Sequence, residues 1–229
     1  MNQKSVKLNI GCGLCYTKEW INIDKAVPTD IRANVLEGMP IKDVCCDIIF
    51  LSHLLEHFSY NDAQGFLVEC NRISKMGAII RIIVPDLDIF TRKYIEKDKM
   101  FYDQPGPHDG FRFKGDTLGD KFMFVVLSEG HNYCYDFDSL KNLLQKCGFG
   151  NIVKSNYGDS QIEGISSLDT RPEVSLFVEA QKIGERGPAK IFKKSTEDKT
   201  TFWKQCVNKV SQLIHIRRQY PSLITIRWC

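Results

Sequence analysis

No run of about 18 apolar residues occurs in the chain, so no membrane-spanning helix is expected. The phosphate-loop pattern G-x-x-x-x-G-K-[ST] is absent, which removes the commonest signature of nucleotide hydrolysis. The dinucleotide fingerprint is incomplete. Gly11 and Gly13 are followed by Tyr16 where a third glycine or alanine belongs, and the next strand-end acid, Asp24, comes too early. There is no internal repeat and no low-complexity tract. The start, Met1-Asn2-Gln3-Lys4-Ser5, leads straight into an apolar run with no signal-peptide pattern. The nine cysteines are odd in number, scattered and mostly set in apolar runs. A disulfide framework is therefore not expected, and reduced thiols in the cytoplasm are.

What is present is a strand that breaks into a glycine turn, Leu8-Asn9-Ile10-Gly11-Cys12-Gly13, and a second short apolar run, Ile21-Asn22-Ile23-Asp24, that ends in an acid. In an open α/β sheet, ligands sit beyond the carboxyl ends of the strands. Glycines there let the backbone approach a ligand, and a carboxylate at the next strand tip accepts hydrogen bonds from a ribose diol. With a pyrophosphate-binding turn set aside, a nucleoside-type ligand remains.

Further runs complete an α/β pattern. Residues 47–52 and 78–84 read as buried central strands, because their apolar residues run on rather than alternate. A helix is expected from Asn61-Asp62, with Ala63, Phe66, Leu67, Cys70 and Ile73 inward and Gly77 at its end. Leu87, Phe90 and Tyr94 suggest another. Residues 98–116, rich in glycine, proline and aspartate, read as a long loop of the kind that forms lids. A short helix is expected over 120–128 and a longer one after Asp138, capped by Gly148. Residues 152–157 and 175–181 alternate like a closing antiparallel pair.

In this order the runs resemble a class I S-adenosylmethionine-dependent methyltransferase across residues 5–183. The resemblance rests on residues 8–13 and 20–24, on Cys46-Asp47-Ile48-Ile49-Phe50-Leu51-Ser52-His53-Leu54-Leu55-Glu56-His57, on Val84-Pro85-Asp86-Leu87-Asp88, on Tyr135-Asp136-Phe137 and on the late strand 175–181. It is nearest to a bacterial subgroup associated with glycan and cell-envelope biosynthesis. The implied fold is α/β: a Rossmann-like, doubly wound, mostly parallel sheet. One departure stands out. Six residues separate Gly13 from Trp20, whereas a parallel crossover normally takes a dozen or more. The first crossover must be shortened and its helix reduced or missing.

The resemblance implies S-adenosylmethionine as cofactor. Its contacts would come from Asn9, Gly11, Cys12 and Gly13 in the first turn, and from Asp24 at the second strand tip. Asn34, Ser52 and His53 would follow. Methyl transfer is an in-line displacement for which the cofactor carries the electrophile, so no fixed catalytic motif is required. His53, His57 and His131 are the candidate bases, since imidazole titrates near neutrality. His53-x-x-Glu56-His57 also matches a zinc-peptidase pattern. That pattern needs a helix and a later third ligand; neither is evident, so no metal is expected. The bland alternative has His53 and Glu56 bracing the loop. Cys12-x-x-Cys15 lacks the helix that a redox dithiol should open.

The expected acceptor is a small molecule or glycan carrying a hydroxyl. Rival readings are an RNA or protein methyltransferase and a non-catalytic cofactor-binding scaffold. Net charge is +3 but uneven. Residues 184–229 carry ten basic and three acidic residues, a net +7, while the rest carries 21 basic and 25 acidic, a net −4. An acidic catalytic domain argues against nucleic acid. The Asn/Asp-Pro-Pro-Tyr/Phe motif of base-modifying methyltransferases is also missing.

The chain thus divides into a domain over 1–183, a polar linker over 184–200 and a basic amphipathic extension over 201–229. Phe202, Trp203, Cys206, Val207, Val210, Leu213 and Ile214 make the extension's apolar stripe. It would dock on the domain, attach peripherally to the inner face of an anionic membrane, or form a homodimer contact.

Overall fold

The computed structural model describes residues 5–26, 28–105, 112–127 and 130–185. Seven strands form one sheet: β1 (Lys7–Ile10), β2 (Ile21–Asp24), β3 (Ile31–Arg32), β4 (Cys46–Ser52), β5 (Ser74–Pro85), β6 (Phe149–Ser155) and β7 (Ser175–Lys182). Their order is β3-β2-β1-β4-β5-β7-β6. β1 to β5 pair in parallel, and β7 lies antiparallel between β5 and β6. Five helices are described: α1 (Tyr60–Ile73), α2 (Leu87–Ile95), α3 (Lys99–Tyr102), α4 (Leu118–Leu127) and α5 (Phe137–Lys146). This is the expected Rossmann-like α/β sheet. The expected linker and extension, 184–200 and 201–229, lie outside the described residues apart from Gly184 and Glu185. Among the described residues, no helix is long and apolar enough to cross a membrane.

The two faces of the sheet are covered differently. On one, Leu8, Ile10, Ile49, Leu51, Ile82 and Val178 pack against the apolar stripes of α1 and α5. Burying each such side chain contributes roughly 1.5–3 kcal/mol. The other face has a small cluster of Trp20, Phe50, Ile83, Ile162, Ile165 and Phe177. Among the described residues, no helix stands in the crossovers β1–β2 and β2–β3, and β3–β4 has a single 3₁₀ turn, Val35–Glu37. The short first crossover foreseen from sequence is present, and the two after it are reduced as well.

Polar side chains take over where helices are lacking. Asn9 on β1 and Asn22 on β2 face each other with both side chains buried. The Asn9 amide donates to Asn22 Oδ1 (3.0 Å) and Cys15 O (3.1 Å). The Asn22 amide donates to Thr17 O (3.0 Å), Trp20 O (3.1 Å) and Asp30 Oδ2 (3.0 Å). Buried amides stay stable only when paired. Here the pairing sews the crossover loop down where a helix would otherwise pack.

Further along the same face, Arg81 of β5 is fully buried. Its guanidinium donates through Nε and Nη2 to the two oxygens of Asp169 (2.8 and 2.5 Å). Nη1 reaches Glu179 Oε1 (2.9 Å), Ser155 Oγ (2.9 Å) and Asp159 O (3.1 Å), and Nη2 also reaches Asn156 O (3.0 Å). The loop between β6 and β7 is thereby fixed across the sheet.

Several element ends differ from expectation. The α1 cap is Ser59, whose Oγ accepts from Asp62 N, rather than Asn61. α1 ends at Ile73 instead of Gly77, and Gly77, at φ +76°, lies inside β5. The stretch 98–116 is not all loop: α3 forms in it, and Phe101, Tyr102 and Phe113 pack with Phe90. The lid expectation falls in part on residues 106–111, outside the described residues.

α5 begins with a capping box. Asp136 Oδ1 accepts from Ser139 N (2.7 Å), and Ser139 Oγ accepts from Asp136 N (3.1 Å). These bonds to Ser139 hold the Asp136 carboxyl below its ordinary value. A lowered folded-state pKa adds stability that is present above the unfolded value and lost as pH falls through the folded one. Asp136→Ala should therefore cost about 1 kcal/mol near neutrality. The difference from wild type should shrink as acid protonates the carboxyl. Urea titrations at neutral and acidic pH check this; a pH-independent difference would remove the charged cap.

Candidate active site

The strand order reverses between β1 and β4, and crevices at such a point, beyond the carboxyl ends, take ligands. β1 ends in Gly11 at φ +72°, whose N–H donates to Ile23 O (2.7 Å). At this φ a side chain would be strained, and a Cβ at Gly11 would also sit 2.8 Å from the methyl carbons of Leu54, which would have to shift. Gly13, at φ +52°, has open space around it.

Asp24 at the tip of β2 accepts from Gly13 N through Oδ2 and from Ala26 N through Oδ1, both at 2.8 Å. An ionised carboxylate has about four lone-pair sites, so about two remain for a ribose diol. The bare glycine backbone and this part-filled carboxylate fit an adenosyl group.

The other expected cofactor contacts are placed less directly. Asn9 lies beneath the loop with its amide engaged, as described above. Cys12 is buried, and burial followed by the Asp24 charge raises its thiol pKa. A raised thiol is a poor redox nucleophile, and Cys15 N bonds Cys12 O in a turn rather than opening a helix. Asn34 is exposed: Oδ1 accepts from Leu36 N (3.3 Å), and Nδ2 donates to Glu37 Oε1 (2.8 Å). Ser52 shares a hydrogen bond with Thr170 (3.1 Å).

The segment after β4 brings the three candidate histidines together. His53 has φ +50°, unusual for a residue with a side chain, and its N–H donates to Ile83 O (2.9 Å). Its ring is bonded on both sides, Nδ1 to Glu56 Oε1 (3.1 Å) and Nε2 to Ser175 Oγ (3.3 Å). His57 ends a 3₁₀ turn, Leu55–His57, so His53 and His57 do not share a helix face. His131 comes from the loop before α5. Asn132 ties that loop to the turn, donating from its backbone to Glu56 O (2.8 Å) and from its amide to His57 O (2.7 Å). The His57 and His131 rings meet edge to face with centroids 5.1 Å apart. Beside them Glu56 is buried, and its Oε2 has no hydrogen-bond partner among the described residues.

His131 and His53 also line a cavity of about 410 Å³ with Phe90, Val125, Arg112 and Arg171. Neither arginine drew attention in the sequence. Each sits in a loop that only the fold brings to β4, and nothing in its local pattern marks it.

Residues 8–82 match the family model described as a methyltransferase domain. That match spans about a third of the chain. Similar solved structures include proteins described as S-adenosylmethionine-dependent methyltransferases from three organisms. One from Archaeoglobus fulgidus shows 16% identity, a TM-score of 0.45, and coverage of 78% of this chain and 86% of that one. One from Thermotoga maritima shows 16% identity, a TM-score of 0.46, and coverage of 79% and 83%. One from Methanosarcina mazei shows 14% identity, a TM-score of 0.46, and coverage of 80% and 95%. No curated protein matches the chain. The segment matched by the family model runs from β1 into β5, and so includes the glycine turn, Asp24 and the 53–57 segment.

Proposed function

We propose that this chain is an S-adenosylmethionine-dependent methyltransferase that methylates a hydroxyl of a small anionic molecule or glycan intermediate, of the kind met in cell-envelope biosynthesis. The observation that carries this reading is the 410 Å³ cavity, lined by the imidazoles of His53 and His131 and by Arg112 and Arg171. That volume suits a small molecule. Arg171 has no ion-pair partner among the described residues, and Arg112 has one at 3.7 Å, Glu173. Two lightly neutralised guanidiniums favour an acceptor bearing a carboxylate or phosphate.

S-adenosylmethionine, when bound, would supply a methyl carbon on a sulfonium for transfer to the acceptor oxygen. The chain does the rest. Gly11 and Gly13 admit the cofactor to the backbone, and Asp24 holds its ribose. Asn9 and Cys12 position that loop from below. His131 donates its Nδ1–H to Val125 O (2.7 Å). A carbonyl can only accept, so the neutral ring presents Nε2 as a base. That nitrogen takes the acceptor's hydroxyl proton. His53, bonded at both nitrogens, orients Glu56 and the turn.

Calorimetric titration with S-adenosylmethionine and with NAD, followed by methyl-transfer assays over anionic and neutral hydroxyl compounds, tests this reading. S-adenosylmethionine should bind and NAD should not. Asp24→Ala should weaken binding by about 1.5–3 kcal/mol, the range for hydrogen bonds to charged groups. Unchanged affinity in a folded Asp24→Ala protein would remove Asp24 from the site. Preference for NAD would overturn the whole reading.

A further inference from the structure

The geometry points to a divalent first-row metal site formed by Glu56, His57 and His131. One ligand atom from each residue lies within 4.8 Å of the other two. Two imidazoles and one carboxylate suit zinc, iron, cobalt and nickel rather than magnesium or calcium, which prefer all-oxygen sites. In sequence the 53–57 pattern has no evident third ligand. The fold brings His131 in, and His53 drops out because both its nitrogens are bonded elsewhere.

Two independent features support a cation here. First, Glu56 is 1% exposed, and its Oε2 has no hydrogen-bond partner among the described residues. A buried carboxylate oxygen without a partner is costly, and a cation would satisfy it. Second, both outer partners of a metal centre are already in place. Metal-bound histidines commonly donate their second ring N–H to a carbonyl, and metal-bound carboxylates are themselves hydrogen-bonded. His131 donates from Nδ1 to Val125 O, which leaves the Nε2 lone pair free. Glu56 is held through Oε1 by His53.

Closing this set to metal–ligand distances of about 2.0–2.2 Å takes rotation of the His57 ring, which has no hydrogen bond among the described residues. Three protein ligands leave a coordination position open, as in catalytic rather than structural sites. His131 lines the cavity, so that position faces the acceptor space. The site's role in catalysis rests on the methyl-transfer reading. An acceptor hydroxyl taking the open position would release its proton to solvent more readily, as metal-bound water does. With the cation bound, His131 Nε2 is a ligand, so the base role given to that nitrogen above belongs to the metal-free chain.

The test uses the full chain stripped of metal with a chelator, without cofactor or acceptor, so that its outcome stands apart from methyl transfer. Zinc and cobalt(II) are titrated by calorimetry and absorption. We expect one ion per chain, and a cobalt spectrum of imidazole and carboxylate ligation with no thiolate charge-transfer band. His57→Ala and His131→Ala should each weaken binding at least tenfold while the protein still binds S-adenosylmethionine, which shows that it is folded. Glu56→Gln serves as a third variant that keeps the side-chain volume. Three results would each overturn the site: no stoichiometric binding, a thiolate band, which would put the metal on the cysteines, or wild-type affinity in both histidine variants.

Discussion

His131→Ala should lower turnover by about 10²–10⁴, the usual contribution of a positioned acid or base, while cofactor affinity stays near wild type. The expectation follows from separation within the site. Gly11 and Asp24 lie at the ends of β1 and β2, whereas His131 lines the cavity with Arg112 and Arg171. Steady-state kinetics with an identified acceptor, together with calorimetry for the cofactor, check it. Should cofactor affinity and folding fail together, His131 is a structural residue that holds the 53–57 segment in place. Turnover within a few-fold of wild type would remove it from the chemistry.

Arg81→Leu should lower the unfolding free energy by about 3–5 kcal/mol, the cost of removing one partner from a buried ion pair. Asp169 and Glu179 would then stay buried next to an apolar side chain, with side chains 0% and 5% exposed. For a chain of this size each kcal/mol shifts the melting temperature by roughly 2–4 °C, so the expected drop is about 6–20 °C. Thermal and urea denaturation measure it. The effect is large because this network stands where a helix covers the sheet in a fully wound fold. Loss of less than about 1 kcal/mol would mean that the loop from β6 to β7 holds its place by other contacts. Replacing Arg81, Asp169 and Glu179 together by apolar residues should be far milder than Arg81→Leu, since whole buried ion networks often exchange for apolar packing at little cost.

The sequence by itself determined the architecture, the glycine turn after β1 and the acid at the tip of β2. Residues 8–13 could be read because a buried strand shows as an apolar run and a turn at positive φ calls for glycine. Asp24 could be read because it ends the next such run. The six residues between Gly13 and Trp20 had no room for a helix. These signals are local, carried within a few residues of one another. The helix after Asp138 and the β6–β7 pair were visible for the same reason, through their periods, although caps and end residues shifted by a few positions.

The grouping of His57, His131 and Glu56 was decided only by tertiary structure. His131 meets His57 because the loop before α5 hydrogen-bonds to the turn after β4 through Asn132. Neither segment carries a mark of the other. Arg81 read as one more residue of a buried strand, and a charge there looks like a fault until Asp169 and Glu179 arrive from 88 and 98 residues away. Glu56 looked like a loop brace in sequence, and it is one through Oε1. That its Oε2 stays buried without a partner depends on which groups the fold packs around it. Periodicity and turn chemistry fix where a segment bends and which side it buries. They do not specify which distant polar groups share a pocket, because that depends on how the whole sheet is ordered and what closes over it.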